Sequence, residues 1–239
     1  MWLGTRVTVI IPAWQEAPRI HRVLRGLPSW IDSALVIDDG STDGTAEVAL
    51  AAGDARVEVL RQLRNRGVGA AIAAGYTHAL AQAGGPRDAF VVMAGDGQMD
   101  PGDLPAVVAP VASGEAEYVK GNRFASRDTL RAMPAARRLG GLVFSWATSL
   151  AVGIPISDSQ CGYTAIAREA CATLDLDALW PGYGYPNDLL SQLALRGLRI
   201  REVPVRAVYA DEVSRLRPRH VPVVASLVAR AWWRRLGAR

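Results

Sequence analysis

Short runs of apolar, largely β-branched residues alternate with longer segments of helical periodicity through the first half of the chain. Such runs are typical of strands buried on both faces of a parallel sheet. The predicted strands are Val7–Ile11, Ala34–Ile37, Val57–Leu60, Ala89–Met93 and Tyr118–Lys120. The predicted helices between them are Ala17–Leu27, Thr45–Ala52, Gly69–Ala83 and a segment that begins after Pro101. This order predicts an α/β fold with a mostly parallel central sheet and helices on both of its faces.

The second half of the chain has a less regular pattern. It predicts helices at Arg137–Val152, Asn187–Arg196 and Val221–Leu236, and strands at Cys161–Ala167 and Ile200–Val205. No internal repeat or low-complexity linker divides the chain. We therefore expect one domain over residues 1–217, followed by a basic amphipathic helix over residues 218–239.

Composition supports a folded domain and places an excess of positive charge at one end. Half of the 239 residues are hydrophobic and 21% are charged, which excludes a disordered chain. Residues 196–239 contain eleven Arg and three acidic residues, a net +8, so the other residues sum to −4. This basic end predicts an anionic partner, which could be a phosphate group, a membrane surface or nucleic acid. Nucleic acid is not expected as a partner, because no recognisable binding module accompanies the charge.

The cysteines and the hydropathy pattern bear on location. Cys161 and Cys171 lack the spacing of a zinc site, and the N-terminus lacks a secretory signal pattern, so neither zinc nor a disulfide is expected. The longest apolar stretch, Leu142–Ile156, is shorter than the roughly 20 residues that a membrane span requires. We therefore expect a cytoplasmic protein, which would be peripheral on the cytoplasmic face of a membrane if its C-terminal helix binds lipid.

Three polar clusters directly follow predicted strands. They occupy residues 12–16, 38–45 and 95–101, and each combines carboxylates or amides with Gly or Pro. In parallel α/β sheets, ligands bind beyond the carboxyl ends of the strands. One such cluster alone could be an ordinary turn with a helix cap, but three at one edge of the sheet indicate a binding site.

The motifs VTVIIPAWQE, VIDDGSTDGT, RNRGVGAAIAAGY and VMAGDGQMDP follow one another in this order. The set resembles the family-2 glycosyltransferases of the GT-A fold. The later segments VKGNRF, RRLGGLVFSWATSLAVGIPISDSQCGY and EVPVRAVYADEVSRLR are similar to the branch of dolichyl- and polyprenyl-phosphate mannose or glucose synthases. The resemblance covers roughly residues 5–217. It implies an inverting, metal-dependent hexosyltransferase that uses a donor such as GDP-mannose or UDP-glucose and a polyprenyl or dolichyl phosphate acceptor.

The resemblance also implies the residues that bind the donor. Those that bind the nucleotide sugar are Pro12, Trp14, Glu16, Ile37, Asp39, Gly95 and Asp96. Asp39 would read the base, because a carboxylate accepts hydrogen bonds from a ring N–H. Asp96 and Gln98 would hold Mg²⁺ or Mn²⁺ against the diphosphate, which suits their oxygen ligands. The family usually carries another Asp where this chain has Ala94, so the site has one charge fewer.

On the acceptor side, the same resemblance implies that the phosphate is bound by Arg123, Arg206 and Arg215, since a guanidinium can give a phosphate two hydrogen bonds. Asp158 and Gln160 would lie on an acceptor-side loop. The catalytic residues would be Asp96, Arg123 and Asp188, the last standing where relatives carry an acidic residue near the reacting sugar.

Alternatives remain open on the sequence alone. A hydroxyl acceptor on a glycan or glycolipid would need a carboxylate base, supplied by Asp188 or Asp158. Ala94 leaves open a relative that binds nucleotide sugars without turnover. A dinucleotide-binding dehydrogenase is disfavoured, because no GxGxxG follows the first strand.

The C-terminal helix has two interpretations. Its paired Trp residues and terminal Arg residues predict either contact with an anionic membrane or packing on the domain with a solvated basic end. A homo-oligomer or a membrane-protein partner is compatible with both.

Overall fold

The computed structural model describes residues 1–82, 84–86, 88–208 and 220–237. Within them, seven strands form one sheet. In sheet order the strands are β3 (Val57–Arg61), β2 (Ser33–Asp38), β1 (Val7–Ala13), β4 (Ala89–Val92), β6 (Thr164–Ala167), β5 (Tyr118–Asn122) and β7 (Ile200–Pro204). Only β6 runs antiparallel to its neighbours. The carboxyl ends of the other six strands and the start of β6 therefore share one edge of the sheet.

Helices cover both faces of this sheet. They are α1 (Ala17–Arg25), α2 (Thr45–Leu50), α3 (Val68–Ala81), α4 (Leu104–Ala112), α5 (Arg127–Ala132), α6 (Ala135–Val152), α7 (Arg168–Ala172), α8 (Tyr185–Leu195) and α9 (His220–Gly237). Short 3₁₀ turns occupy Pro101–Asp103 and Arg123–Ala125.

Alternate residues of the buried strands supply two separate cores. Along β1, Val9 and Ile11 pack into the layer that contains α1 and α4, whereas Ile10 packs into the layer that contains α3 and α8. This alternation follows from the two-residue period of a strand. The predicted α/β fold, with a mostly parallel sheet and a helical layer on each face, is confirmed.

The structure adds features that the sequence pattern did not predict. The helices α5 and α7 have only six and five residues, too few to show a helical period. The side chain of Ser126 caps α5 by accepting a hydrogen bond from the backbone N–H of Thr129. The reversed direction of β6 was also not predicted, since strand direction is set by pairing rather than by local pattern.

The C-terminal helix α9 packs against α6 and α8. Val224, Leu227 and Ala231 are its buried residues, and Arg235 donates a hydrogen bond to the carbonyl of Leu150 at the end of α6. The segment predicted as Val221–Leu236 is thus a helix seated on the domain. Across the described segments, none of the helices combines the length and hydropathy needed to cross a bilayer.

Two helical glycines allow a test of the close packing at the start of α3. A Cβ at Gly69 would lie 2.1 Å from the carbonyl oxygen of Trp180, whereas a Cβ at Gly140 in α6 would meet nothing within 4 Å. We expect Gly69→Ala to lower the free energy of unfolding by about 1–3 kcal/mol through overpacking. Gly140→Ala is the matched control and should raise it by up to about 1 kcal/mol, the helix propensity gain. Urea denaturation measures both, and equal effects would contradict this packing.

Candidate active site

The loops that follow β1, β2 and β4 meet at the shared edge of the sheet. The backbone N–H of Asp39 donates to the carbonyl of Ala13 at 2.9 Å, and that of Gly95 donates to the carbonyl of Pro12 at 3.1 Å. The first loop is thus hydrogen-bonded to both of its neighbours. The three predicted clusters therefore lie next to one another at this edge.

Gln15 fixes the conformation of the first loop. Its φ of 56° is in the left-handed region, which is unusual for a residue other than Gly. Its N–H donates to the hydroxyl of Ser41, and its side-chain amide exchanges hydrogen bonds with Thr42. Such strain persists where surrounding contacts hold it and is common at functional sites. Sequence reasoning missed Gln15, and no local signal marks it.

Glu16 is buried at the start of α1. Its backbone N–H donates to the hydroxyl of Thr45, and its carboxylate pairs with Arg19 at 3.1 Å. Asp43 accepts from the backbone N–H of Ala17 and from Thr45. Burial tends to raise the pKa of Asp43, but these hydrogen bonds outweigh it and hold the pKa below its ordinary value. Hydrogen bonds to Asp43 and Thr45 therefore join the first two loops.

Asp39 is 3% exposed and accepts two backbone hydrogen bonds of 2.8 Å, from Arg66 and Gly67. Burial raises the pKa of its carboxyl, and the two backbone donors oppose that rise. Gly67 has a φ of +100°, and a Cβ at Gly40 would lie 2.5 Å from the backbone of Arg64. Both glycines are required for the 64–67 turn to approach Asp39 so closely.

The other predicted donor residues lie at or just beyond the ends of β1, β2 and β4. Pro12 and Ile37 are buried at the ends of their strands, while Trp14 is partly exposed at the rim. A Cβ at Gly95 would lie 3.1 Å from the Cβ of Ala13, so this position also favours Gly. The predicted nucleotide-binding residues therefore converge on one edge of β1, β2 and β4.

The loop after β4 presents Asp96 and Gln98. Asp96 is partly buried, and its carboxylate accepts a 3.0 Å hydrogen bond from the backbone N–H of Gln98. Among the described residues, no group of three or more His, Cys, Asp or Glu side chains gathers into a metal site built from protein ligands alone. One carboxylate and one amide suit an ion of the Mg²⁺ type, which commonly takes one or two protein ligands and completes its shell with substrate phosphates and water. The donor set therefore fits the predicted ion.

Residues 206–208, which follow β7, contact this loop and the turn after it. The backbone N–H of Val208 donates a hydrogen bond to the carbonyl of Gln98. Ala207 and Met99 form an isolated antiparallel β-bridge. Arg206 pairs with Asp103 through two hydrogen bonds and also with Asp100 at 3.1 Å. This second predicted phosphate ligand is thus held by two carboxylates. Arg215, the third, lies outside the described residues.

Arg123, at the end of β5, forms a buried fork with Asp158. Its Nε and Nη2 donate to the two carboxylate oxygens at 2.7 and 2.9 Å, and its backbone N–H donates to the same group. Asp158 is 0% exposed. Burial tends to raise the pKa of Asp158, but the hydrogen bonds and charge of Arg123, with the charge of Lys120, hold the pKa below its ordinary value.

Lys120 is a second buried cation in this region, and sequence reasoning missed it. Its ammonium donates to the carbonyl of Cys161, and burial lowers its pKa. Glu202 on β7 accepts from the backbone N–H groups of Ser157 and Asp158. The 157–161 loop is therefore held by charged side chains from both β5 and β7. An isolated Lys within a predicted strand gives no signal of this role.

Two predicted residues remain, Gln160 in the 157–161 loop and Asp188 in α8. Gln160 donates to the hydroxyl of Ser159. Asp188, in the first turn of α8, is 1% exposed, and its Oδ2 accepts from the backbone N–H of Trp180 at 2.8 Å. Its Oδ1 lies 2.7 Å from Arg230 and 2.7 Å from Arg234, both on α9. Sequence reasoning missed both arginines, because nothing local connects them to α8.

A model of the family described as glycosyl transferase family 2 matches residues 8–174, which is more than half of the chain. The chain belongs to glycosyl transferase family 2. The match spans the loops after β1, β2, β4 and β5, and the predicted family is thereby confirmed.

Named relatives of this glycosyltransferase are similar over most of its length. It is 27% identical over 220 residues to a UDP-N-acetylglucosamine–dolichyl-phosphate N-acetylglucosaminyltransferase of Methanococcus voltae, which covers 86% of each chain. It is 32% identical over 209 residues to a polyprenol monophosphomannose synthase of Mycolicibacterium smegmatis, which covers 84% of this chain and 76% of the relative.

The fold of this glycosyltransferase is also seen in solved structures. A glucosyl-3-phosphoglycerate synthase of Mycobacterium tuberculosis, crystallised with Mn²⁺, UDP and phosphoglyceric acid, superposes with a TM-score of 0.70. The superposition covers 96% of this chain and 79% of the other at 22% identity. At that identity the likeness shows the fold, which is the GT-A fold that the resemblance implied.

The Arg123–Asp158 fork predicts a specific stability pattern. Arg123→Ala leaves a buried carboxylate unpaired and should lower the free energy of unfolding by about 3–5 kcal/mol. Adding Asp158→Asn should restore part of that loss, because the unpaired charge is removed. Denaturant midpoints measure both variants. A double variant that is no more stable than Arg123→Ala would contradict this account.

The same pair should make stability depend on pH in the acid range. Because the folded-state pKa of Asp158 is lowered, its contribution is fully present above the unfolded value of about 3.9 and is lost as pH falls through the folded pKa. The wild type should therefore lose more stability than the double variant below pH 4.

Proposed function

We propose that this glycosyltransferase moves a hexose from a nucleotide sugar to the phosphate of a polyprenyl or dolichyl lipid, with inversion at the anomeric carbon. The two named relatives carry lipid-phosphate acceptors in their names. The solved synthase was crystallised with a soluble acid instead. The observation that favours the lipid is an exposed apolar surface beside the acceptor side of the site.

This surface, called here the apolar helix surface, is formed by α6 and α9. More than half of the large apolar side chains that are exposed in the described part of the chain lie on these two helices. Trp146 is 65% exposed and Trp233 is 72% exposed. The surface consists of Leu139, Leu142, Val143, Trp146, Leu150, Trp232, Trp233 and Leu236. Apolar patches of this kind are uncommon on monomeric soluble proteins and indicate an interaction site.

The charges on these helices favour an anionic bilayer as the partner. The two helices contain five Arg and no Asp or Glu. Trp side chains prefer the membrane interface, and helices without Asp or Glu carry no negative side chain that would repel anionic lipids. We therefore propose that the enzyme is peripheral and docks through this surface.

The apolar helix surface also adjoins the acceptor side. On α6, the hydroxyl of Ser145 accepts from the backbone N–H of Ser159 in the acceptor-side loop. A Cβ at Gly141 would lie 2.7 Å from the ring of Phe124, the residue after Arg123. Helix α6 thus contributes to the apolar helix surface and also contacts both the 157–161 loop and the turn that contains Arg123.

The burial and ion pairing of Asp158 and Asp188 favour a phosphate acceptor over a hydroxyl acceptor. A hydroxyl requires a general base, and the two predicted candidates are Asp158 and Asp188. Both are almost fully buried and paired with Arg side chains. A phosphate monoester is largely ionised near pH 7, because its second pKa is about 6, so it needs positioning rather than a base.

In the proposed reaction, the oxygen of the acceptor phosphate attacks the anomeric carbon and the nucleoside diphosphate leaves. Asp39 orients the base, and Glu16 and Trp14 border the nucleotide. Asp96 and Gln98 would hold Mg²⁺ or Mn²⁺, which supplies Lewis-acid neutralisation of the leaving diphosphate.

Two arginines would supply positive charge to the acceptor phosphate. Arg123 is oriented by Asp158 at the end of β5. Arg206 pairs with Asp100 and Asp103, so each of the two arginines would meet a phosphate while it also contacts a carboxylate of the chain.

A donor screen tests the reaction. We expect nucleotide release from GDP-mannose or a UDP-hexose only when polyprenyl phosphate and Mn²⁺ are both present. Asp96→Asn should lower kcat/KM at least about 100-fold, equivalent to roughly 2.7 kcal/mol of transition-state stabilisation. Asp128→Asn, an identical change at an exposed position of α5, is the control. Release with a glycan but not with the lipid would refute the acceptor, and an active Asp96→Asn enzyme would refute the role of Asp96.

Vesicle sedimentation tests the apolar helix surface. The wild type should pellet with vesicles of phosphatidylglycerol and phosphatidylcholine. Trp146→Glu and Trp233→Glu should each weaken binding roughly tenfold, because each removes an interfacial side chain and adds a repelled charge worth about 1 kcal/mol. Leu63→Glu is the control, since Leu63 is fully exposed in the loop after β3. Equal pelleting of all variants would exclude this surface.

A further inference from the structure

The contacts of Asp188 differ from those expected of a reacting carboxylate. One oxygen lies 2.7 Å from a guanidinium nitrogen of Arg230 and 2.7 Å from one of Arg234. The other oxygen accepts the backbone N–H of Trp180. With 1% of the residue exposed, a substrate proton would have to displace a partner before it reached this group. The carboxylate connects α9 to the 180–184 loop.

Further contacts seat α9 on that loop. Gly184 has a φ of +96°, and a Cβ there would lie 2.7 Å from the side chain of Leu227. The two arginines are four residues apart, so they project from the same side of α9 toward Asp188. Helix α9 therefore meets the loop through an apolar contact at one point and through ion pairs at another.

The loop in turn contacts the start of α3. The carbonyl oxygen of Pro181 accepts a 3.0 Å hydrogen bond from the backbone N–H of Ala70. A Cβ at Gly67 would lie 2.5 Å from the same oxygen, and one at Gly69 would lie 2.1 Å from the carbonyl oxygen of Trp180. The two backbones touch at these glycines, so a shift of the loop would be transmitted to the start of α3.

The start of α3 holds the proposed base-reading carboxylate. The backbone N–H of Gly67 donates to Oδ2 of Asp39, and that of Arg66 donates to Oδ1. A continuous series of contacts thus runs from the arginines of α9, through Asp188 and the Trp180–Pro181 backbone, to Asp39. Each contact is a hydrogen bond, an ion pair or a steric contact within the described residues.

We infer that Arg230, Arg234 and Asp188 are positioning residues for the nucleotide part of the donor, which makes α9 a component of the donor site. This inference rests on the proposed role of Asp39 in reading the base. In this role Asp188 strengthens donor binding and does not transfer a proton. Helix α9, whose outer face is proposed to bind lipid, would then have a second function.

The first test needs no substrate and so is independent of the proposed reaction. Hydrogen exchange of backbone amides should be faster at Gly67, Ala70 and Trp180 in Arg230→Ala/Arg234→Ala than in the wild type. Arg196→Ala is the matched control, because Arg196 donates to the carbonyls of Thr173 and Gln192 at the opposite end of α8. Wild-type exchange at Gly67 and Ala70 in the double variant would overturn the inference.

The second test separates positioning from chemistry. With Mn²⁺ present, the double variant should bind UDP or GDP about tenfold more weakly and raise the donor KM to match, while kcat and the acceptor KM change less than twofold. Arg230→Lys/Arg234→Lys should recover part of the affinity because it keeps both charges. A fall in kcat with an unchanged donor KM would indicate a reacting Asp188 and would overturn the inference.

A double-mutant cycle guards against a general loss of stability. If the arginines act through the carboxylate, then removing both of them in an Asp188→Asn background should change the donor KM less than twofold. Asn can still accept the hydrogen bond from Trp180 and leaves no unpaired buried charge. Additive effects in the cycle would show that the arginines act by another route and would refute the positioning role.

Discussion

Three almost fully buried carboxylates hold the loops of the candidate site in place. A buried charge is costly unless it is paired or hydrogen-bonded, so each carboxylate fixes the groups that bind it. Asp39 accepts hydrogen bonds from the backbone N–H groups of Arg66 and Gly67. Asp158 accepts from the backbone and side-chain N–H groups of Arg123. Asp188 accepts from the backbone N–H of Trp180 and forms ion pairs with Arg230 and Arg234. In each case a buried carboxylate fixes a loop that follows a strand or precedes a helix, because the carboxylate must keep its hydrogen-bond or ion-pair partners. The loops of the glycosyltransferase are therefore positioned by electrostatics, while the sheet supplies the common edge.

Close approach of backbones is the second constraint, and it depends on glycine. Gly40, Gly67 and Gly69 lie where a Cβ would be within 2.1–2.7 Å of another segment's backbone. These contacts bring the 64–67 turn against β2 and the 180–182 segment against α3. Only after this approach can the backbone N–H groups of the turn reach Asp39. The hydrogen bonds to Asp39 therefore depend on the glycines, because the absence of a Cβ at these positions lets the two backbones approach closely enough for the bonds to form.

The sequence predicts the parts of this arrangement that are local and leaves out those that are not. The buried strands and the polar clusters behind β1, β2 and β4 follow from periodicity and from turn residues, and their meeting follows from the geometry of parallel strands. The direction of β6 and the partners of Asp188 depend on pairings between distant residues: Asp188 and Arg234 are 46 positions apart, and Arg123 and Asp158 are 35 apart. The positive φ of Gln15 depends on Ser41 and Thr42, which no pattern around Gln15 reveals.

The structure shows what the arginines of α9 contact, which the composition of the C-terminal end could not predict. A surplus of Arg at the C-terminal end suggested an anionic partner, yet Arg230 and Arg234 are directed inward to a carboxylate of the same chain, and Arg235 is directed to a backbone carbonyl. What α9 presents outward is mainly apolar, with Trp232, Trp233 and Leu236 exposed. A helix of this construction would bind a bilayer chiefly through its aromatic and aliphatic side chains, because its arginines contact Asp188 and the carbonyl of Leu150. Because the same arginines contact the carboxylate that fixes the 180–184 loop, the proposed membrane docking and the proposed donor positioning would use different faces of α9 and different side chains.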